Sequence, residues 1–201
     1  KDWSASMVDL DDGVLGVELH SVLKPDFNPL DGSMVSMLES AVEWVKENNY
    51  KGIVISGDGV NFSAGANLNL ILNAANRKEW DLIDRMTKTM QDTFQALRFA
   101  PFPVVAAPFG FVLGGGYEIC GSCDRIVAAS ESYIGLVEVG MGIIPGAGGN
   151  LRMLNNVSDS VKTMMPGSFP VVQKVFETVG FGRVATSAKE AKKMSYLRDK
   201  D

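Results

Sequence analysis

An α/β fold follows from three features of this 201-residue sequence. Short apolar runs rich in β-branched residues, such as "GIVIS" at 52–56 and "PVVAAP" at 103–108, have the length of buried strands. Between them Trp80, Ile83, Met86, Met90, Phe94 and Leu97 step by three or four, the period of one helix face. Loops of small residues join such segments. Strands alternating with helices along a whole chain argue for mixed layers of sheet and helix.

The elements follow in order. Residues 5–10 and 14–20 flank "DDG" and read as a hairpin. Over 32–48, Met34, Leu38, Ala41, Val42 and Val45 share one face of an amphipathic helix. The strand 52–56 leads into a Gly/Asn/Ser-rich loop, "GDGVNFSAGAN". A long helix is expected over 79–99, its methionines filling the core. After the strand 103–108 come Gly114, Gly115 and Gly116, then a short helix from about Gly115. "RIVAAS", 125–130, and "SYIGL", 132–136, read as strands, and "GAGGNLRML" as a loop entering a helix. The stretch 156–182, with Pro166, Gly167 and Pro170, shows no clear period. Ser187 and Glu190 form a capping box that starts a last helix in "SAKEAKKMSYL". No repeat or linker divides residues 1–201, so one domain is expected.

Composition narrows the function. A net charge of −5 and a pI near 5.0 leave no broad basic surface for nucleic acid. The uncharged run 99–117 is interrupted by prolines and glycines and is too short for a membrane span. These residues show no signal-peptide pattern, and a soluble, cytoplasmic protein without a targeting segment is expected. The first residue is Lys1, which suggests a domain cut from a longer chain. Cys120 and Cys123 form a single C-x-x-C and His20 is the lone histidine, too few ligands for a structural zinc site. The cysteines read as small apolar residues on a helix, and His20 as a structural residue at a strand end. No metal is expected.

Two isolated carboxylates carry the chemistry. Glu118 is the first charged residue after Arg98 and directly follows the triple glycine and Tyr117. Glu138 is the only charge between Ser132 and Leu151, in the glycine-rich "GLVEVGMGIIPGAGG". Alone, either could be a solvated glutamate near a helix start. Together, each beside exposed backbone, they suggest paired acid–base work. Glycine lets backbone N–H groups approach a ligand closely, and a helix start leaves such groups without internal partners. The loop "NFSAGAN" offers a second small-residue backbone, so two loops could each lend an N–H to one oxygen. Neither a P-loop nor a G-x-G-x-x-G fingerprint occurs, and no G-x-S-x-G accompanies His20.

"FSAGANL", "LGGGYEICGSCDRIVAA" and "GLVEVGMGIIPGAGGNLRML", in this order and spacing, resemble the crotonase (enoyl-CoA hydratase/isomerase) family. The resemblance covers about 10–155, with an echo in "SAKEAKKMSYL", and is strongest to the hydratase module of proteins fused to a 3-hydroxyacyl-CoA dehydrogenase. It implies a crotonase-like spiral of ββα units, assembled as a trimer or a pair of trimers. It implies an enoyl-CoA hydratase of fatty acid β-oxidation acting on an acyl-CoA thioester. The alternatives are a Δ3-Δ2-enoyl-CoA isomerase or a non-catalytic acyl-CoA-binding module. By position, the N–H groups of Ala66 and Gly115 would form the oxyanion hole. Glu118 would be the principal base and Glu138 the acid, and the backbone at Gly146 would help to hold the reacting water. Substrate would lie against Ala64, Ala66, Asn67, Leu68, Gly114, Gly115 and Pro145, with the adenine of coenzyme A along Ala64, Ala66 and Leu68. Lys24 is a weaker candidate for a phosphate contact. Coenzyme A would enter as part of the substrate, with no cofactor for hydration itself and NAD only where a fused dehydrogenase domain exists. Asn67 stands where the family often has Asp, and "APFGF" replaces the usual lead-in to the glycines. The family continues beyond "SAKEAKKMSYL" through helices that close the acyl pocket and build the trimer, so a fragment lacking them is expected.

Overall fold

The computed structural model describes residues 2–22, 24–161 and 169–201. Pro166 and Gly167 lie outside the described residues. Strands β1 (Ala5–Asp9) and β2 (Val14–Leu19) pair antiparallel with Ala5 opposite Leu19. Their turn passes through Asp11, Asp12 and Gly13, all at positive φ. Aspartate tolerates that region better than most residues and glycine accepts it freely, which is why "DDG" closes the expected hairpin.

Helix α1 (Gly32–Glu47) starts at Asp31, whose side chain accepts from Met34 N. It buries Met34, Leu38, Ala41, Val42 and Val45, the face read from the sequence. Strand β3 (Gly52–Gly57) then runs parallel to β2. Helices α2 (Leu68–Asn76) and α3 (Trp80–Arg98) lead to β4 (Val104–Ala106), parallel to β3. Strand β5 (Phe111–Leu113) opens a second sheet, helix α4 (Gly115–Gly121) follows, and β6 (Arg125–Ile126) returns to the first sheet beside β4.

Strand β7 (Tyr133–Gly135) pairs with β5 and is followed by a 3₁₀ turn, Glu138–Met141. Helices α5 (Gly149–Val161) and α6 (Phe169–Val179), strand β8 (Val184–Ala185) and helix α7 (Ala188–Lys193) complete the order. The result is a five-stranded sheet, β1-β2-β3-β4-β6, and a three-stranded sheet, β5-β7-β8. The core lies between α1 and the larger sheet, where Leu15, Val17, Ile53, Ile55 and Val104 are buried, and continues to Phe62, Tyr117 and Ile134.

Four differences from the sequence reading have physical causes. The stripe of α3 is fully buried in the core only at Phe94 and Leu97, with half-buried Met90 packed against it; Trp80 is exposed, and Ile83 and Met86 are half-buried. The helix packs on α1 and α2 rather than on a strand, so its first half is left over a cleft. "RIVAAS" forms only a two-residue strand, because β6 pairs solely with the short β4. Strands β5 and β8 are too short to show a period of two, and the helices α2 and α6 were not anticipated. At α7, Ser187 Oγ accepts from Glu190 N as a cap should, but Glu190 Oε2 reaches Thr186 N and Oγ1. Among the described residues, no helix is long and apolar enough to cross a membrane.

Candidate active site

The loop after β3 runs beside two other backbones. Ser63 N donates to Phe111 O, and Ser63 O accepts from Leu113 N. Further on, Gly65 O accepts from Leu30 N, and Asn67 N donates to Leu30 O. In extended chain, alternate residues turn their polar groups to opposite sides. Ala66 N–H therefore faces away from Leu30, and it has no partner among the described residues.

Helix α4 meets this loop head on. Gly114, at φ 53° and ψ −125°, donates its N–H to Gly135 O and leaves Gly115 as the first helical residue. Gly115 N–H has no partner among the described residues, as a helix start dictates. A Cβ added at Gly65 would stand 3.5 Å from Gly115 N, and one at Gly115 would stand 3.7 Å from Ala66 N. The two free donors are neighbours. At Gly116 a Cβ would come within 2.7 Å of Ser63 O, so the triple glycine is what lets helix and loop touch.

Glu118 lies in the first turn of α4 and is 3% exposed. Its Oε1 accepts from Ala147 N and Gly149 N, each at 2.8 Å. Burial pushes its pKa above the ordinary carboxylate value, and these two N–H groups act against the rise. They come from the turn that opens α5, whose unpaired N-terminal donors suit an anion.

Glu138 begins the 3₁₀ turn and is half-buried. A Cβ at Gly114 would stand 3.0 Å from its Oε1, while its Oε2 is buried without a hydrogen-bond partner. Burial raises its pKa to about 7, the charge of Glu118 adds to the rise, and backbone N–H groups at Glu138 and Val137 oppose it. Near neutral pH this carboxyl binds a proton that an exposed glutamate would lose.

Both carboxylates line a cleft of about 730 Å³, and among the described residues lining it no other side chain is charged. Ile71, Ile83, Met90, Ile143 and Ile144 supply apolar walls. Ala64, Ala66, Leu68, Gly114, Gly115, Pro145 and Gly146 line the same cleft, so the fold brings nearly all the sequence-selected positions together. Gln91 of α3 donates to Gly146 O at 2.7 Å, and Asn150 donates to Pro145 O at 3.3 Å, fixing the loop between the 3₁₀ turn and α5.

Asn67, expected as a substrate contact, stands at the edge of the site. Its side chain caps α2 by accepting from Asn69 N, and it lines neighbouring depressions instead of this cleft. Lys24 is exposed beside one of those depressions, with Trp3 and Asn69. Met86, read as core filling, lines a neighbouring cavity, while Met90 packs against the core and also lines the cleft. Ala147, Gly149 and Gln91 were missed. Glycine ahead of a new helix signalled the Gly149 donor; nothing local marked Gln91, which meets its partner across 55 positions. Cys120 and Cys123 are buried free cysteines, and burial pushes the Cys123 thiol up to about 12. His20 Nε2 lies 2.7 Å from Ser6 Oγ, a contact between β1 and the end of β2.

Comparison with known proteins identifies the family. The enoyl-CoA hydratase/isomerase family model matches residues 10–166. A "Probable 3-hydroxyacyl-CoA dehydrogenase" of Bacillus subtilis is 39% identical over 203 residues, covering 100% of this chain and 24% of that protein. The chain thus spans about a quarter of that curated relative. An enoyl-CoA hydratase from Bacillus anthracis superposes with a TM-score of 0.78 at 27% identity, covering 96% of this chain and 68% of that one. One from Thermoplasma volcanium gives 0.78 at 24%, over 98% and 71%, and at that identity supports the fold alone. With the matched region extending from the hairpin through both carboxylates to α5, this chain belongs to the enoyl-CoA hydratase/isomerase family.

Proposed function

We propose that this domain adds water to a trans-2-enoyl-CoA thioester, giving the 3-hydroxyacyl-CoA. One observation carries the reading: two carboxyl groups in unlike surroundings share a cleft with two unpaired, neighbouring N–H groups. When water adds to the conjugated C=C bond, negative charge moves onto the thioester oxygen. Ala66 N–H and Gly115 N–H would receive that charge, with one such donor contributing about 3 kcal/mol to the barrier.

The carboxylates divide the proton work. Glu118, whose charged form Ala147 N–H and Gly149 N–H favour against the effect of burial, would take a proton from water as its oxygen bonds to C3. Glu138, whose pKa near 7 keeps it substantially protonated at neutral pH, would supply the proton to C2. Both line one cleft, which suits delivery of both pieces of water to the same face of the double bond. Passage of the proton from Glu118 to Glu138 restores the starting state. The isomerase reading uses the same enolate but needs only one carboxylate, and Glu138 turned into the cleft favours hydration.

The test is loss of the conjugated thioester absorbance when crotonyl-CoA is added to the full-length protein and to this domain. Turnover that disappears in Glu118→Gln supports the assignment. A folded protein that binds the thioester yet leaves its absorbance unchanged would overturn it.

A further inference from the structure

Tyr117 and Tyr196 are both fully buried, and their rings meet edge to face with centroids 5.0 Å apart. Tyr117 immediately precedes Glu118 on α4, and its hydroxyl donates to Tyr196 O at 2.9 Å. The Tyr196 hydroxyl donates to Arg183 O at 2.8 Å and accepts from Leu136 N at 3.2 Å. Leu136 stands two positions before Glu138. The pairing of β7 with β5 and β8 ends at Gly135, so Leu136 N has no strand partner. The Tyr196 hydroxyl fills the gap where β7 and β8 part. Phenylalanine would fill the same volume, but it would leave the buried Leu136 N–H without a partner and remove the donor to Arg183 O.

We propose that Tyr196 is a positioning residue for Glu138, holding the segment that carries it at a fixed distance from α4, which carries Glu118. The chain of contacts is continuous: Glu118 to Tyr117 through the helix, Tyr117 hydroxyl to Tyr196 O, Tyr196 hydroxyl to Leu136 N, and Leu136 to Glu138. The aromatic ring cannot stretch, so Tyr196 adds a rigid spacer between the two segments beside the direct Gly114 N–H to Gly135 O bond. The titratable group acting on Glu138 is Glu118 from α4; the pKa of Tyr196, from the segment after α7, is raised to about 12 by burial first and by Glu138's charge in smaller part, so its hydroxyl stays protonated. The catalytic consequence rests on the hydratase reading above; the positioning does not.

Tyr196→Phe in the full-length protein tests the idea in two separable ways. Carboxyl-carbon NMR gives the Glu138 titration midpoint, assigned by its absence from Glu138→Gln, with no need for turnover. A loosened turn admits water, so the midpoint is expected to fall by at least ~0.5 unit toward the ordinary carboxylate value. An unchanged midpoint in the folded variant overturns the proposal. If that variant does not fold, Tyr117→Phe keeps every bond at the Tyr196 hydroxyl and should move the midpoint the same way by less; no movement there is equally decisive. For hydration of crotonyl-CoA, Tyr196→Phe is expected to lower kcat about tenfold with KM little changed, since small misplacements of reacting groups cost 10- to 100-fold. On a Glu138→Gln background the same change should cost nothing further. Equal losses in both backgrounds would show a structural role only. Failure of the wild-type protein to hydrate crotonyl-CoA would sink the functional reading and leave the titration to decide the spacer.

Discussion

Glu118 and Glu138 are the same residue type in the same cleft, yet their surroundings differ in kind. Glu118 is buried on a regular helix, and two backbone N–H groups hold one of its oxygens. Glu138 is half-buried on a single 3₁₀ turn, and one of its oxygens has no partner. Burial raises both pKa values, but only at Glu118 do donors from another element offset it. Two like carboxyls can therefore divide into a base and an acid without any change of side chain. The difference lies in backbone placement.

The sharpest way to break this comparison is to remove the groups that treat both carboxyls alike. Ala66→Pro deletes an N–H that neither carboxylate supplies, and turnover should be lost while a saturated acyl-CoA still binds. Ala66→Ser keeps the donor and should stay active; substantial hydration by a folded Ala66→Pro protein would place the thioester oxygen elsewhere. Glu118→Gln and Glu138→Gln should each lower hydration at least ~100-fold, the scale of general acid–base catalysis. Near-normal rates in both folded variants would end the two-carboxylate mechanism.

Gly149→Ala sharpens the contrast from the Glu118 side. The new methyl would stand 3.1 Å from Glu118 Cγ and Oε1 and 2.8 Å from Leu136 Cδ2. It should displace the carboxylate and reduce kcat roughly 10- to 100-fold, with substrate binding retained. Unchanged kcat would mean that the Gly149 N–H contact does not position the base.

A smaller effect concerns pH and stability. The folded-state pKa of Glu138 is raised to about 7. The folded protein therefore holds a proton that the unfolded chain releases near the ordinary glutamate value. This contribution is fully present below that value and is lost as pH rises through about 7. Wild-type stability should fall over that window by on the order of 2 kcal/mol, reduced by the partial exposure of the group. Glu138→Gln should flatten the fall and unfold at a higher temperature than wild type at pH 8. Parallel pH profiles for the two proteins would contradict the raised value. The smallest expected effect is at Cys123→Ala, which should cost about 1 kcal/mol of stability through the lost buried contact and leave hydration unchanged. Both cysteines should resist thiol reagents until the protein unfolds.

Where the chain's own period is long enough, the sequence sufficed. The stripe Met34, Leu38, Ala41, Val42, Val45 placed α1 and its buried face, because an amphipathic helix records its orientation in 16 consecutive residues. "DDG" placed the hairpin, because the turn itself demands positive φ. Lone carboxylates among glycines marked Glu118 and Glu138, because apolar surroundings and bare backbone are local properties. The α3 stripe was misplaced in part. Its apolar face is visible in sequence, but whether Met86 meets core or cavity depends on what α3 crosses, and it crosses α1 and α2.

The sequence by itself determined the α/β class, the main helices and strands, and the backbone positions that gather at the cleft. Tertiary structure alone decided which carboxyl receives donors from another element. Ala147 and Gly149 reach Glu118 across about thirty residues, while no group reaches Glu138 Oε2 among the described residues. It also decided that Asn67 caps a helix and that the Tyr196 hydroxyl meets Leu136 N across 60 positions. Propensity and periodicity act over a few residues. Proton affinity depends on burial and on donors that only the folded chain brings within about 3 Å.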